Sequence, residues 1–151
     1  MKILLKKIYT IGFTKKSAEE FFCMLEKNNI SAVVDIRLNN TSQLAAFSKF
    51  PDIKFFLKKI INANYIHDKN FAPSENILNR YKKKIIDWAD YETEFAELMD
   101  SRNIDEYIKK NYSDSDNICL LCSEPTPENC HRKLVAEKFA EVFGDIKIIH
   151  L

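Results

Sequence analysis

The stretch CLLCSEPTPENCHR, residues 119–132, joins an apolar run to a helix-forming segment through a turn rich in proline and glutamate. The run Ile118–Cys122 is apolar throughout, which predicts a strand buried on both faces. A helix is predicted to follow it, capped by Thr126 or Asn129, and to continue to Phe143. A strand that leads through a turn into a helix is the building unit of an α/β fold.

The same alternation continues on both sides of this stretch. The predicted strands are Ile3–Ile11, Ser31–Arg37, Asn64–His67, Ile118–Cys122 and Ile146–Ile149. The other predicted helices are Ser17–Asn28, a short one at Ser42–Lys49, Asp52–Asn62 with Phe55, Phe56, Ile60 and Ile61 on its buried side, and a region from Ser74 to about Tyr112 with breaks near Asp90, Ser101 and Asn103. This order predicts a three-layer α/β domain over residues 1–151, with a mostly parallel sheet of about five strands flanked by helices.

Composition excludes several classes of protein. Hydrophobic residues make up 46% and charged residues 30% of the 151 residues, which is typical of soluble globular domains. The net charge of +1 gives no global attraction to nucleic acid or to a membrane. The first residues lack the pattern of a signal peptide, and no apolar run approaches the roughly 20 residues of a membrane span. With cysteines that do not form a disulfide framework, we expect a cytoplasmic protein.

Polar side chains follow four of the predicted strands, at the point where each strand ends. If the strands are parallel, these ends lie along one edge of the sheet, which is where such sheets bind ligands. The residues expected there are Gly12, Thr14, Asp35, Arg37, His67, Cys122 and Glu124. The sequence therefore predicts a site at this edge.

Cys130, His131 and Arg132 lie in the first two turns of the last predicted helix. A helix N-terminus offers free N–H groups and a positive dipole end, which bind anions and lower the pKa of a nearby cysteine. We therefore predict a cysteine enzyme for an anionic small molecule or nucleotide, without a cofactor or metal. The predicted roles are Cys122 or Cys130 as nucleophile, His131 or His67 as base, Glu124 or Asp35 to orient the base, and Arg37 and Arg132 to bind the anion.

Each of these residues also has a purely structural interpretation. Cys119 and Cys23 are expected to pack as small apolar side chains, and the same role is open to the two site cysteines. Asp35 and Arg37 lie two residues apart, on one face of a strand, and can form an ion pair that only supports the fold.

Three other functions remain open. A tetrahedral zinc site would combine the two site cysteines and His131 with Cys119 or His67, although Cys130 and His131, as neighbours on a helix, rarely point to one ion. A Cys-x-x-Cys redox pair would be formed by Cys119 and Cys122. A nucleic-acid-binding surface would use Lys54, Lys58, Lys82 and Lys83 with Phe55 and Tyr81.

Short elements spread along the chain resemble the DUF488 family in sequence and order: YTIG (9–12), VVDIR (33–37), YIH (65–67), LLCSE (120–124) and CHR (130–132). The likeness runs from Tyr9 to about His150, and Cys-x-Glu followed by Cys-His-Arg is its most specific part. It implies an enzyme or ligand-binding site in a family without a characterised function. The positions it implies are Thr10, Gly12, Asp35, Arg37, His67, Cys122, Glu124, Cys130, His131 and Arg132.

The first element departs from the family pattern. The family usually reads Thr-Ile-Gly-His-Ser where this chain has TIGFT (10–14). Thr14 keeps a hydroxyl group, but Phe13 can neither transfer a proton nor bind a metal. A mechanism that requires this histidine is therefore not expected, and ligand binding without catalysis is the alternative.

Overall fold

The computed structural model describes residues 5–41, 45–124 and 126–151. Its strands are β1 Lys7–Gly12, β2 Ala32–Asp35, β3 Asn64–His67, β4 Ile118–Cys122 and β5 Lys147–His150. Its helices are α1 Ala18–Lys27, α2 Asp52–Ile61, α3 Glu75–Lys82, α4 Trp88–Ser101, α5 Ile104–Tyr112 and α6 His131–Phe143, with short 3-10 helices at Ala46–Ser48 and Lys69–Phe71. The strands form one all-parallel sheet in the order β3-β2-β4-β1-β5, which confirms the predicted α/β fold.

Helices cover both faces of this sheet. On one face α1 and α2 pack on Ile11, Val33 and Leu121, and on the other α3 to α6 pack around Val34 and Leu120. Because successive side chains of a strand point to opposite faces, β2 and β4 bury apolar residues on both sides. Among the described helices, none is long and apolar enough to cross a membrane.

Several helix ends follow the predicted signals. The Ser17 hydroxyl accepts a hydrogen bond from the backbone N–H of Glu20 at 3.1 Å, and Ser74 caps α3 in the same way. Gly144 ends α6 with φ +79°, a conformation that favours glycine. These caps explain why α1 and α3 begin, and α6 ends, where the sequence predicts.

The last helix begins later than predicted, and this changes the site. Its N-cap is Cys130, which has extended backbone dihedral angles, and not Thr126 or Asn129. Asn129 adopts a left-handed conformation with φ +57°, and the N–H of Cys130 donates to the carbonyl of Pro127 at 3.2 Å. A turn therefore precedes the helix, and Cys130 is not part of its regular spiral.

Helix α2 buries a different side from the predicted one. Ile53 and Leu57 are fully buried, whereas Phe55 and Ile60 are 58% and 50% exposed. The other two predicted residues are half-buried. Apolar residues lie on every side of this helix, so their periodicity could not identify the face that meets the sheet.

Other boundaries also differ from the prediction. Strand β1 begins at Lys7, and residues 3 and 4, the first two of the predicted strand, lie outside the described residues. The predicted helix Ser42–Lys49 is a 3-10 turn at Ala46–Ser48, with residues 42–44 outside the described part. Asp90 does not break a helix: it completes the capping box of α4 with Asp87.

The corrected face of α2 gives a stability prediction. We expect Leu57→Ala to lower the free energy of unfolding by about 2–5 kcal/mol, because it leaves a cavity in the core. The matched change Ile60→Ala on the exposed side should alter it by no more than about 0.5 kcal/mol. Urea denaturation measures both, and equal losses would contradict this placement of the helix.

Candidate active site

The carboxyl ends of β1 and β4 border a cleft of about 360 Å³. These strands are neighbours in the sheet, but β1 continues into α1 on one face and β4 into α6 on the other. Neighbouring strands whose connections leave in opposite directions open the crevice where α/β sheets bind ligands. Its lining includes Phe13, Arg37, Cys122, Glu124, Cys130 and His131. The structure therefore brings six residues from three strand ends and one helix start to one cavity.

Cys122 and His131 form the centre of the cleft floor. The Cys122 sulfur lies 3.4 Å from Nδ1 of His131, and both side chains are buried. The other ring nitrogen, Nε2, lies 2.8 Å from the carbonyl oxygen of Ile36. A carbonyl only accepts, so Nε2 carries a proton and donates it. In the neutral ring Nδ1 is therefore free to accept the thiol proton of Cys122.

The pKa values of the two possible nucleophiles, Cys122 and Cys130, are shifted in opposite directions. A hydrogen bond from the Cys130 side chain is the largest influence on Cys122 and lowers its pKa against the effect of burial, helped by the Ser123 N–H and the charge of Arg132. The same hydrogen bond, together with burial, raises the pKa of Cys130 above its usual range. Cys122 is therefore the more acidic thiol, and Cys130 serves as its hydrogen-bond donor.

Arg132 lies behind the cleft floor and does not line the cleft. Its side chain is fully buried, and one terminal nitrogen, Nη1, donates to the carbonyl of Glu124 at 2.5 Å. Nε and Nη2 have no hydrogen-bond partner within the described ranges. Gly12 makes room for this group, because a β-carbon there would overlap both the Glu124 carbonyl and the guanidinium. Arg132 thus holds a positive charge close beneath Cys122.

Arg37 and Asp35 form a buried ion pair at the end of β2. Two guanidinium nitrogens of Arg37 donate to the two carboxylate oxygens of Asp35, each at 2.8 Å. Burial works to lower the pKa of Arg37, but the hydrogen bond and charge of Asp35 outweigh it and raise that pKa. The guanidinium carbon lies 5.2 Å from the centre of the Phe13 ring, a cation–π contact at the position where the family usually has histidine.

His67 does not reach the cleft with its ring nitrogens. Nε2 donates to the carbonyl of Arg37 at 2.7 Å, and Nδ1 accepts from the Asn40 side-chain amide at 3.2 Å. Asp35 also accepts from the hydroxyl of Tyr65, which is 2.5 Å away. His67 and Asp35 therefore position Arg37, and neither contacts His131.

Of the remaining predicted site residues Thr10, Thr14 and Glu124, Glu124 lines the cleft. Thr10 is fully buried, and its hydroxyl lies 2.6 Å from Nδ1 of His150. The backbone N–H of Thr14 donates to the carbonyl of Ser123 at 3.1 Å, which ties the chain after β1 to the chain after β4. Glu124 lines the cleft, but among the described residues no hydrogen bond joins its carboxylate to His131.

An aromatic wall from α3 and α4 completes the cleft, and the sequence did not reveal it. Tyr81, Trp88 and Tyr91 line it, with Lys82 beside them. Trp88 stacks on Tyr91 with ring centres 4.9 Å apart, and Tyr91 in turn stacks on Phe95. The spacing of Trp88, Tyr91 and Phe95 along α4 is that of any apolar helix face, and of the wall only Tyr81 was predicted to bind, as part of a nucleic-acid surface.

Cys122, Cys130 and His131 also make a candidate set of metal ligands. Their sulfur and nitrogen atoms all lie within 4.8 Å of one another. Neighbouring residues within a regular helix rarely point to one ion. Cys130 and His131 do so because Cys130 is the cap of α6 and has extended backbone angles. Cys119 packs in the layer of α1 and α2 on the opposite face of the sheet, so it joins neither this set nor a redox pair with Cys122.

The predicted nucleic-acid surface is divided between two sides of the molecule. Lys54 and Lys58 belong to α2, which packs on one face of the sheet. Lys82 and Lys83 end α3, which packs on the other face. The two groups of lysines therefore do not share a helix layer.

The fold and the cleft define an α/β protein with a cysteine–histidine cluster at the carboxyl edge of a parallel sheet. A family model described as "Domain of unknown function DUF488" matches residues 17–139 of the 151. The chain therefore belongs to the DUF488 family. The match includes the site from Asp35 to Arg132, whereas Thr10, Gly12 and Thr14 precede it. Neither the curated proteins nor the solved structures gave a match to this chain.

The buried ion pair gives a second prediction. Asp35→Asn leaves the Arg37 charge buried without its partner, so we expect the free energy of unfolding to fall by about 3–5 kcal/mol. The matched change Glu94→Gln removes the partner of Arg80 in a far more exposed pair and should have little effect. Chemical denaturation compares the two variants, and a loss for Asp35→Asn as small as that for Glu94→Gln would contradict the role given to the pair.

Proposed function

We propose that this protein is an enzyme that acts on an anionic, phosphate-bearing substrate such as a nucleotide, with Cys122 as its nucleophile. The observation that carries the proposal is the 3.4 Å contact between the Cys122 sulfur and a His131 ring whose other nitrogen is fixed by the Ile36 carbonyl. A nucleophile beside a base that is itself oriented by a third group is the arrangement of covalent catalysis.

The proposed division of roles follows from the contacts of each side chain. His131 accepts the proton of the Cys122 thiol at Nδ1, and the Cys130 thiol stabilises the resulting thiolate by donating a hydrogen bond. Arg132 adds a positive charge from behind and remains within the protein. This assigns catalysis to Cys122 and His131, and gives Cys130 and Arg132 the role of tuning the thiol.

The charge of the cleft supports an anionic substrate. Among the described residues that line the cleft, the cations are Arg37 and Lys82 and the acidic residue is Glu124. Asp35 occupies Nε and Nη2 of Arg37, while among the described residues Nη1 has only a long, 3.4 Å contact with Ser48. Nη1 is therefore the nitrogen that is free to bind a phosphate oxygen.

The aromatic wall supports a substrate that also carries a planar ring. Stacking of a base on an aromatic side chain stabilises binding by about 1–3 kcal/mol and tolerates any base. Trp88 and Tyr81 line the cleft on the side of Lys82, so a ring and a phosphate can be bound together. A nucleotide combines both groups.

The reactivity of Cys122 gives a third prediction. Because its pKa is lowered, alkylation of Cys122 by iodoacetamide should persist at pH values below the usual cysteine pKa of about 8.5. Cys130→Ala removes the largest cause of the lowered pKa and should move the midpoint of the rate profile to higher pH. Cys119→Ala, on the other face of the sheet, should leave it unchanged. Peptide mass mapping measures the alkylation rates. A Cys122 that stays unreactive in the folded protein would refute its role as the nucleophile.

Substrate binding gives a fourth prediction. Trp88 is the only tryptophan, so its fluorescence reports on the cleft. We expect a nucleoside 5′-monophosphate to change it at lower concentration than inorganic phosphate or the nucleoside alone. Lys82→Ala should weaken this binding roughly two- to five-fold, and the neighbouring change Lys83→Ala should not. No response to any of the three probes, or equal effects of the two variants, would count against the proposed substrate.

A second candidate function is zinc binding, supported by the convergence of Cys122, Cys130 and His131. Two thiolates and one imidazole, with a fourth position open to the cleft, form a common zinc ligand set. Elemental analysis should then find about one zinc per chain, lost in Cys122→Ser and kept in Cys119→Ala. Protein purified without any metal would remove this candidate.

A further inference from the structure

We propose that Cys122 and Cys130 form a redox-active dithiol that reduces hydroperoxides and closes to a reversible disulfide. The inference rests on the proposed function in one respect, since it takes Cys122 as the reactive thiol. It adds a second chemistry at the same place, which nothing in the family description assigns.

The proximity of the two sulfurs is the first support. Both are free thiols, and both line the cleft, so a small oxidant can reach them. Their sulfur atoms lie within 4.8 Å of each other. A disulfide bond is about 2.05 Å long, so closure requires the two sulfurs to approach by no more than about 2.8 Å.

The position of Cys130 is the second support, because it makes this movement feasible. Cys130 is the extended N-cap of α6. Its N–H donates to the carbonyl of Pro127 and its carbonyl accepts from the N–H of Lys133, each at 3.2 Å, so it is held by a turn and a helix cap and not by the hydrogen bonds of a helix interior. Cys122 is fixed at the end of β4, where it pairs in register with Gly12. One sulfur is therefore anchored in the sheet while the other lies on an irregular segment that can approach it.

The chemistry balances with a hydroperoxide as the oxidant. The Cys122 thiol gives its proton to Nδ1 of His131, and the sulfur attacks the terminal oxygen of the hydroperoxide. An S–O bond forms, the O–O bond breaks, and the alcohol or water leaves with the proton returned by His131, so that Cys122 becomes a sulfenic acid. The Cys130 sulfur then attacks the Cys122 sulfur, the S–O bond breaks, and the hydroxyl leaves as water with the proton of the Cys130 thiol as the disulfide forms. An external dithiol restores both thiols and is itself oxidised to a disulfide.

The other two cysteines provide internal controls. Cys119 packs on the opposite face of the sheet with Ile11 and Leu121. Cys23 lies on α1 in that same layer. Neither can reach the cleft, so oxidation should be confined to one pair.

The test uses the full chain, treated with a chelator, reduced, freed of reductant and exposed to one equivalent of hydrogen peroxide or cumene hydroperoxide. We expect the thiols titrated after denaturation to fall from four to two. Peptide mapping should find Cys122 linked to Cys130, and dithiothreitol should restore all four thiols. Cys130→Ser should instead accumulate a Cys122 sulfenic acid that dimedone traps, while Cys119→Ala should behave as the wild type.

The outcomes separate this inference from the proposed function. Rapid alkylation of Cys122 together with four thiols remaining after peroxide would contradict the redox-active dithiol, but would agree with Cys122 as the nucleophile. A disulfide that involves Cys23 or Cys119, or one between chains, would also overturn it. A Cys122 that neither alkylates nor oxidises would overturn both proposals.

Discussion

The buried positive charge of Arg132 is the constraint on which the architecture of the cleft depends. A buried charge without a counter-ion is costly, and within the described residues this guanidinium bonds only to a backbone carbonyl, that of Glu124. Its space exists because Gly12 has no side chain at the end of β1. After the hydrogen bonds from the Cys130 side chain and the Ser123 N–H, the charge of Arg132 adds to the lowering of the pKa of Cys122, and after the larger effect of burial it lowers the pKa of His150. Gly12, Arg132 and the Glu124 carbonyl therefore act together: the glycine leaves space for the guanidinium, the carbonyl holds it, and its charge favours a thiolate at Cys122.

The fold could be predicted from sequence because local signals agreed with the global arrangement. The apolar runs of β2 and β4 have the composition of strands covered on both faces, and the Ser17 and Ser74 caps mark helix starts. The prediction failed where the chain gives no local signal. Helix α2 has apolar residues on all sides, so only contact with the sheet selects Ile53 and Leu57.

The site could be predicted only in part. The order of strands and helices predicts that a site lies at the carboxyl edge of the sheet, but not which contacts its side chains make there. Cys122, Cys130, His131, Arg37 and Glu124 meet at one cleft, as strand ends in a parallel sheet should. The sequence could not give the separate tasks of the two cysteines, since these depend on Cys130 capping α6. It also placed His67 among the bases, whereas the carbonyl of Arg37 and the amide of Asn40 occupy its nitrogens. The sequence did not show that Trp88 and Tyr91 line a cleft, because a helix face that lines a cleft has the same periodicity as one that lines a core.

The central claim is that Cys122 is an acidified thiol held between Cys130 and His131 above the charge of Arg132. The ultraviolet absorbance of thiolate, followed as pH rises, tests it directly in the folded protein, with Cys122→Ser as the reference. The account predicts that one thiolate appears in the wild type below the usual cysteine pKa of about 8.5 and is missing from Cys122→Ser. A wild type whose thiolate absorbance rises only at or above that pH, as in Cys122→Ser, would contradict it.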